Sequence, residues 1–255
     1  MPENRTYWNM DIEPLLNTPE MQKIQLKKLK IMLKRFYANA PFHRMRLEEA
    51  GLTPDNIDSR IKNLKDFAEI VPIYDKQGYR RHVEACKGDL IQLMEEEMPV
   101  SVDDLVLVNS TTGTTGEPTP YPLTEKDIND VWGEMLCRAL WRGGVRKHDR
   151  LLHTFALSMV IAGTGTLMAI RKSGAMVIPV GAESGTDRIF SMAKFFKPTV
   201  FMGTPSLASY MLERHRKKSG QRRTPWGSNF LSAVGNPVPG SPNFGKNWKK
   251  VFAQN

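Results

Sequence analysis

The sequence predicts an α/β protein in which a helical N-terminal region precedes a mainly parallel sheet flanked by helices. Helical periodicity covers much of the first hundred residues, and short apolar segments alternate with helical patterns from Leu105 onward. A loop rich in threonine and glycine follows the first of these apolar segments. We therefore divide the chain into a helical region, residues 1–100, and an α/β region, residues 101–255.

The first long helix is predicted to begin after Thr18, which is a favourable N-cap residue. Pro19 suits the first helical position. Apolar residues at helical spacing then form one stripe, which we expect to be buried: Met21, Ile24, Leu29, Met32, Leu33 and Phe36. Further along, His43 is interpreted as a packing or hydrogen-bonding residue, and the acidic run 95–97 as a solvated turn.

The α/β region shows strand and helix patterns in alternation. Short apolar segments that end at Gly, Pro or Ser predict strands at 105–109, 150–155, 175–180, 199–202 and 230–234. Helical patterns lie between them at 125–142, 159–172, 187–196 and 206–218. This alternation is typical of βαβ units, in which successive strands are parallel.

Composition and charge exclude several classes of protein. The 255 residues are 40% apolar and 25% charged, and no apolar run approaches the length of about 18 residues that a membrane helix needs. The N-terminal residues lack the apolar core of a signal peptide, so we expect a cytoplasmic protein. The net charge of +9 favours polyanions such as nucleotides or coenzyme A. No recognisable module for nucleic acid surrounds the basic residues, so we expect no nucleic-acid partner.

The chain has only two cysteines, Cys86 and Cys137. Two are too few for a disulfide framework or a structural zinc site, and the histidines show no ligand spacing beside them. We therefore expect packed or free thiols and no protein-bound metal.

The stretch from Asn109 to Thr119 follows a predicted strand, and a helical pattern begins at Thr124. Its glycines allow close approach of the backbone, and its hydroxyl and N–H groups can donate to one anion, which suits polyphosphate. The Walker lysine and the GxGxxG pattern are both absent from it. The alternative interpretation is an ordinary surface loop rich in threonine and glycine.

The motif Ser-Thr-Thr-Gly-Thr-Thr-Gly-Glu-Pro-Thr resembles the phosphate-binding loop of the adenylate-forming superfamily of acyl- and aryl-CoA ligases. The segments "NAPFHRMRLEEAGLTPDNI" and "LKDFAEIVPIYDKQGYR" resemble the opening of phenylacetate-CoA ligases. Further matching segments follow in the family's order: "GGVRKHDRLLHTFA", "IAGTGTLMAIRKSGAMVIPVG", "FFKPTVFMGTPSLASYM" and "FLSAVGNPVPGSPNFGKNWKKVF".

The resemblance implies two groups of site residues. Those expected to bind the nucleotide are Ser110, Thr111, Thr112, Gly113, Thr114, Thr115, Gly116, Gly235, Asn236 and Pro237. Those expected to line or border the acyl pocket are Phe155, Ala156, Ala162, Gly163, Gly165, Gly203 and Thr204. For the glycines, close helix packing or a helix cap is an alternative role of equal weight.

The resemblance also implies the reaction. A small carboxylic acid, phenylacetate or a related aromatic acid, would react with ATP in the presence of Mg²⁺. The product would then react with coenzyme A. Asn236 stands where the family commonly has glutamate, and Glu117 where many members have lysine. The family's catalytic motifs are expected beyond Asn255, so we expect a C-terminally truncated family member without the small C-terminal domain. The alternative is a catalytically inactive binding module that acts with a second polypeptide.

Overall fold

The computed structural model describes residues 5–110, 119–219 and 229–231. Asn9–Val106 form one compact unit, and the described residues of Met1–Trp8 and Leu107–Asn255 form the other. We call them the helical unit and the α/β unit. None of the described helices is long and apolar enough to cross a membrane.

The helical unit is built from short helices that follow one long one. Its α-helices are α1 (Pro19–Asn39), α2 (Pro41–Glu49), α3 (Ile57–Arg60), α4 (Leu64–Ile70), α5 (Lys76–Ala85) and α6 (Leu90–Glu97). Thr18 caps α1 as predicted, because its side chain accepts a hydrogen bond from the Met21 amide at 3.3 Å. Leu33 packs with buried apolar residues of the following segments, which are Leu47, Leu52, Ile57 and Ile61.

The predicted apolar stripe of α1 is partly wrong. Met32 is 45% exposed. The predicted Leu29 packs beside the buried Leu33, and so do Leu26 and Tyr37, which were not predicted. Their spacing of three or four residues defines a stripe that excludes position 32, which lies on another side of the helix.

The acidic run 95–97 was predicted to be a solvated turn, and the structure corrects this. The run is the last turn of α6, whose N-terminus is capped by Asp89. Glu96 and Glu97 contact the two ring nitrogens of the buried His82, at 2.8 Å and 2.9 Å. Residues 95–97 are part of the helix because two of their carboxylates bind His82 of α5.

The α/β unit confirms the predicted fold class. Its strands are β1 (Leu105–Ser110), β2 (Pro120–Thr124), β3 (Arg150–His153), β4 (Met176–Pro179), β5 (Val200–Met202) and β6 (Asn229–Leu231). A π-helical turn (Asp127–Gly133) runs into α7 (Glu134–Arg142), and α8 (Ile161–Ser173), α9 (Thr186–Phe196) and α10 (Pro205–Ser219) follow. Strands β3 to β6 form a parallel sheet in the order β4-β3-β5-β6.

Alternating side chains of the central strands cover the two faces of this sheet. Leu152 and Phe201 pack on one face with α9 and α10, through Ile189, Ala193, Ala208 and Met211. Leu151, Val200 and Met202 pack on the other face with Leu140 of α7 and Ile170 of α8. The parallel sheet is therefore buried between two layers of helices, as such sheets require.

The first predicted strand does not belong to the parallel sheet. It is β1, and it pairs with β2 in a separate two-stranded sheet. Sequence analysis missed β2 because Pro120 and Pro122 argue against a strand. Leu123 of β2 is nevertheless buried while Tyr121 is 44% exposed. This alternation is the burial pattern of a strand with one covered face.

The first described residues pack against α7. The Trp8 ring nitrogen donates to Glu134 at 2.9 Å, and the Trp141 ring nitrogen donates to the Arg5 carbonyl at 3.2 Å. The Arg5 guanidinium lies 4.4 Å and 4.7 Å from the centres of the two indole rings. We call Arg5, Trp8, Glu134 and Trp141 the tryptophan clasp.

Asp149 and Thr199 connect the starts of β3 and β5. The Thr199 hydroxyl donates to Asp149 Oδ1 at 2.7 Å and accepts from the Arg150 amide at 2.9 Å. The other carboxylate oxygen of Asp149 accepts from the Arg146 amide at 2.7 Å. Asp149 is only 6% exposed, so these bonds satisfy a buried charge.

We expect Thr199→Val to destabilise the protein by roughly 1–3 kcal/mol, because it leaves a buried carboxylate oxygen and an amide without their partner. Thr199→Ser keeps the hydroxyl and is the matched control, with an expected loss below about 1 kcal/mol. Urea unfolding of the three proteins measures both changes. Equal losses for the valine and serine variants would contradict this role.

Candidate functional site

The candidate site lies at the carboxyl edge of the parallel sheet. β3 and β5 are neighbours there, yet their connections leave in opposite directions: β3 continues through α8 to β4, and β5 through α10 to β6. A reversal of this kind opens a crevice at the carboxyl ends of the two strands, and ligands of α/β proteins bind in such crevices.

Thr154 and Gly203 follow these two strands and fit closely together. The buried Thr154 donates to the Met202 carbonyl from both its amide and its hydroxyl, each at 2.9 Å. A Cβ atom on Gly203 would lie 2.2 Å from that hydroxyl oxygen. Only glycine fits at 203 while the two strand ends remain joined in this way.

Gly163 sets the position of α8. A Cβ atom there would lie 1.7 Å from the carbonyl oxygen of Ala156, which follows β3. Gly165 is much less restricted, since its nearest contact would be the tip of the Ile161 side chain at 3.1 Å. The first turn of α8 therefore packs directly against the backbone that leaves β3.

The end of β1 is attached to the same part of α8. The Thr164 hydroxyl donates to Asn109 Oδ1 at 2.7 Å, and the Ser110 amide donates to the Met159 carbonyl at 2.8 Å. Asn109 is 1% exposed. Its amide nitrogen has no hydrogen-bond partner among residues 5–110, 119–219 and 229–231. A buried amide donor thus lies at the residue before the predicted phosphate loop.

His153 is a buried histidine at the end of β3. It is fully buried, and neither ring nitrogen has a hydrogen-bond partner within the described part of the chain. Its ring lies 5.7 Å from that of Phe155, centre to centre. Burial lowers the pKa of His153 to about 4, although the backbone of Gly163 and Ala162 and the charge of Glu183 oppose this change. The imidazole is therefore neutral at neutral pH.

The structure describes only part of the predicted site. Of the predicted nucleotide residues it describes Ser110, while 111–116 and 235–237 lie outside the described residues. Of the predicted acyl-pocket residues, Phe155 is buried in the core beside α8, and Ala156 and Ala162 are half-buried. Gly163, Gly165 and Gly203 are buried, and Thr204 is exposed at the start of α10.

Three contacts determine how these residues are grouped. Gly163 brings Ala156 and Ala162 together at the start of α8, through its contact with the Ala156 carbonyl. Gly203 is held by Thr154. The Thr204 hydroxyl accepts from the Leu207 amide at 3.3 Å and so caps α10.

Asn109 was included in the predicted anion-binding stretch but not among the predicted nucleotide-binding residues, and no site role was predicted for His153, Thr154 or Glu183. Glu183 also reaches this edge, because its carboxylate accepts from the Leu157 amide at 2.9 Å. A signal existed for the first three, since each lies at or next to the end of an apolar strand and carries a polar side chain. Glu183 carries no comparable signal, because its contact depends on the course of the loop after β4.

Comparison with known proteins gives consistent matches. A family model described as an AMP-binding enzyme matches residues 28–253. The chain is 26% identical over 214 residues to the phenylacetate-coenzyme A ligase of Escherichia coli (strain K12), and the match covers 83% of this chain and 45% of that enzyme. It is 29% identical over 205 residues to the phenylacetate-coenzyme A ligase of Aromatoleum evansii, covering 79% and 42%. The chain thus spans less than half the length of these relatives.

Solved structures share the fold. An open conformation of 2-hydroxyisobutyryl-CoA ligase in complex with 2-HIB-AMP and CoA matches with a TM-score of 0.81 at 24% identity, covering 99% of this chain and 56% of that one. The same ligase in its thioesterification state matches with a TM-score of 0.80 at 25% identity, covering 99% and 52%.

We expect Gly163→Ala to destabilise the protein by about 1–3 kcal/mol or more, because the new methyl group would overlap the Ala156 carbonyl. Gly165→Ala is the matched control on the same helix, since a rotation of Ile161 relieves its contact. Denaturant unfolding measures both variants. If Gly165→Ala costs as much as Gly163→Ala, the close backbone contact does not position α8.

His153 should make stability depend on pH. Its folded pKa of about 4 is below the unfolded value of about 6.5, so between these values the unfolded state binds more protons. Above about pH 6.5, His153 therefore causes no loss in the free energy of unfolding. As the pH drops from there towards 4, the free energy of unfolding falls by up to about 1.4 kcal/mol per pH unit.

Unfolding of the His153→Gln variant across this pH range tests the prediction, and its stability should fall less steeply than that of the original protein. His148→Gln, at an exposed histidine, is the control and should keep the original slope. An unchanged slope in His153→Gln would contradict the assignment.

Proposed function

This chain belongs to the AMP-binding enzyme family, and on that premise we propose that it forms the nucleotide- and acyl-binding part of an AMP-forming acid-CoA ligase. In this reaction a carboxylate oxygen attacks the α-phosphorus of ATP, which releases pyrophosphate and leaves an acyl-adenylate. The thiol of coenzyme A then displaces AMP and forms the thioester. The names of the curated relatives support phenylacetate, or a related aromatic acid, as the substrate class.

The observation that carries the proposal is the reversal of the connections at the carboxyl ends of β3 and β5, where α/β proteins bind ligands. Because a helix that follows a parallel strand begins at the carboxyl edge, the N-terminal ends of α8 and α10 both lie there. The N-terminal end of a helix carries partial positive charge and attracts anions. Both the triphosphate of ATP and the carboxylate of the acid are anionic, so this edge suits both substrates.

The described residues fit a nucleotide at the start of the phosphate loop. Asn109 has a buried amide donor, which has no partner within the described ranges, next to Ser110. α8 begins at Ile161 with no side-chain cap at Val160. These groups would donate hydrogen bonds to phosphate oxygens, while Thr111, Thr112, Thr114 and Thr115 would supply hydroxyl donors within the loop itself.

The acyl group would lie against the small residues that border the crevice, Ala156 and Ala162 at the start of α8 and Thr204 at the start of α10. Phe155 and His153 would form the apolar wall behind them, since both are buried and the imidazole is neutral. A neutral imidazole leaves the substrate carboxylate free to react, because it does not hold the carboxylate in an ion pair.

We propose Mg²⁺ only as the ion bound to ATP, where it neutralises charge on the phosphate oxygens. Among the described residues named at the crevice, only Glu183 carries a carboxylate, and it already accepts from the Leu157 amide. One exposed carboxylate does not make a magnesium site.

A second candidate function is a binding module without catalysis that acts with another polypeptide in the cytoplasm. Two departures from the family pattern favour it. Glu117 places a negative charge beside the phosphate loop, and Asn236 removes a charge from the adenine segment. Both residues lie outside the described ranges.

Calorimetric titration with Mg-ATP tests the nucleotide site. We expect the chain to bind ATP, and the double variant Thr114→Ala, Thr115→Ala to bind at least about tenfold more weakly, because two donors to charged oxygens are lost. Thr53→Ala, in the helical unit, is the control and should bind as the original chain does. The proposal fails if the original chain does not bind ATP or if the double variant binds equally well.

Release of AMP tests whether the chain is active by itself. The chain is incubated with Mg-ATP, coenzyme A and phenylacetate, and AMP is quantified. AMP formation that requires the acid supports the ligase and excludes the inactive module. ATP binding without AMP formation is expected both of a ligase part that needs the rest of the enzyme and of a binding module.

A further inference from the structure

We propose that His82, Cys86 and Glu96 bind a divalent transition-metal ion, with Zn²⁺ as the best fit. All three belong to the helical unit, and the nucleotide proposal does not use them. Their ligand atoms, one from each residue, lie within 4.8 Å of one another. Both thiols are buried and free, as the expectation of packed or free thiols stated. The proposed ion departs from the sequence-based expectation of no protein-bound metal.

The helices bring the ligands together. His82 and Cys86 are four residues apart on or just after α5, so they lie on the same side of that helix. Glu96 lies in the last turn of α6. His82 is 7% exposed and Cys86 is 2% exposed, whereas the Glu96 side chain is 36% exposed. The site thus has two buried ligands and one ligand on the side open to solvent.

The surroundings of His82 orient it as a metal ligand. Its Nδ1 lies 2.9 Å from Glu97, and Glu97 in turn accepts from the Tyr74 hydroxyl at 2.7 Å. Phe42 stacks on the imidazole with the ring centres 3.9 Å apart and the planes 13° from parallel. Metal-binding histidines characteristically donate their second ring N–H to a carboxylate, which fixes the other nitrogen toward the ion. Here the other nitrogen, Nε2, faces Glu96.

Glu96 is also held in a suitable orientation. The Gln92 side chain donates to its Oε1 at 2.9 Å, while Oε2 lies 2.8 Å from His82 Nε2. One oxygen is therefore engaged by an outer partner, and the other points to the place where an ion would sit. This arrangement leaves Glu96 to bind through a single oxygen.

The donor set selects the ion. Imidazole nitrogen and thiolate sulfur favour Zn²⁺ and disfavour Mg²⁺ or Ca²⁺, which prefer oxygen ligands. Zinc bonds of about 2.0–2.3 Å place tetrahedral ligand atoms roughly 3.5 Å apart. On binding, Glu96 Oε2 would move slightly away from Nε2 and the sulfur would move closer. The Glu96 side chain is half-buried and faces solvent on one side, which leaves room for this movement. Water would complete the fourth position.

The ion would take the position at Nε2 that Glu96 faces in the metal-free protein. The Cys86 thiol would lose its proton, because the thiolate is the form that binds metal. Glu97 would keep its contact with Nδ1.

Zinc titration and cobalt spectroscopy test the site in the chain after treatment with a chelator. We expect one Zn²⁺ per chain by calorimetry, and Co²⁺ should produce a thiolate-to-metal absorption band that Zn²⁺ removes. Glu96→Gln should weaken Zn²⁺ binding at least about tenfold, and Glu97→Gln by about 10–100-fold through loss of the histidine's second partner. Circular dichroism verifies that each variant is folded.

The two cysteines provide a matched pair. Cys86→Ser should abolish the cobalt band, whereas Cys137→Ser should keep it, because Cys137 donates to the Ala169 carbonyl in the α/β unit. Absence of stoichiometric zinc, or equal bands in the two serine variants, would overturn the proposal. If Cys86→Ser does not fold, the Glu96→Gln and Glu97→Gln variants decide the question. Zinc affinity unchanged in both folded variants would refute the site.

Discussion

The contact between Gly163 and the Ala156 carbonyl is the constraint on which the rest of the candidate site depends. Because no side chain fits there, the first turn of α8 lies directly on the backbone that leaves β3. That position brings Thr164 within hydrogen-bond distance of Asn109, so β1 ends at α8 although it belongs to another sheet. The Ala162 and Gly163 backbone also lies beside the buried His153. One close approach of two backbone segments thus connects β1, the residues proposed to border the acyl pocket, and the central strand β3.

The sequence predicted the parallel part of the fold well, because its strands have local sequence features that can be recognised without tertiary context. Segments 150–155, 175–180 and 199–202 are apolar, short and followed by turn residues, and each contains an observed strand. Strand β1 was placed correctly along the chain but in the wrong sheet. Its partner β2 contains two prolines, so its pairing depends on tertiary context that local propensity does not contain.

The site was less predictable because its key contacts join residues far apart in sequence. Spacing shows that Asn109 and His153 follow apolar segments, but only the fold shows that both reach the start of α8. The acidic run 95–97 illustrates the same limit. Three consecutive glutamates favour a solvated segment when considered alone. Their helical conformation follows from His82 on the facing helix, whose two ring nitrogens each contact a glutamate.

The tryptophan clasp has a consequence for synthesis on the ribosome. Trp8 emerges early, but its partners Glu134 and Trp141 are translated only after the whole helical unit. At about 5–20 residues per second, the delay is roughly 7 to 27 s. The helical unit can begin to fold during that interval, while the N-terminal indole is still without its partners.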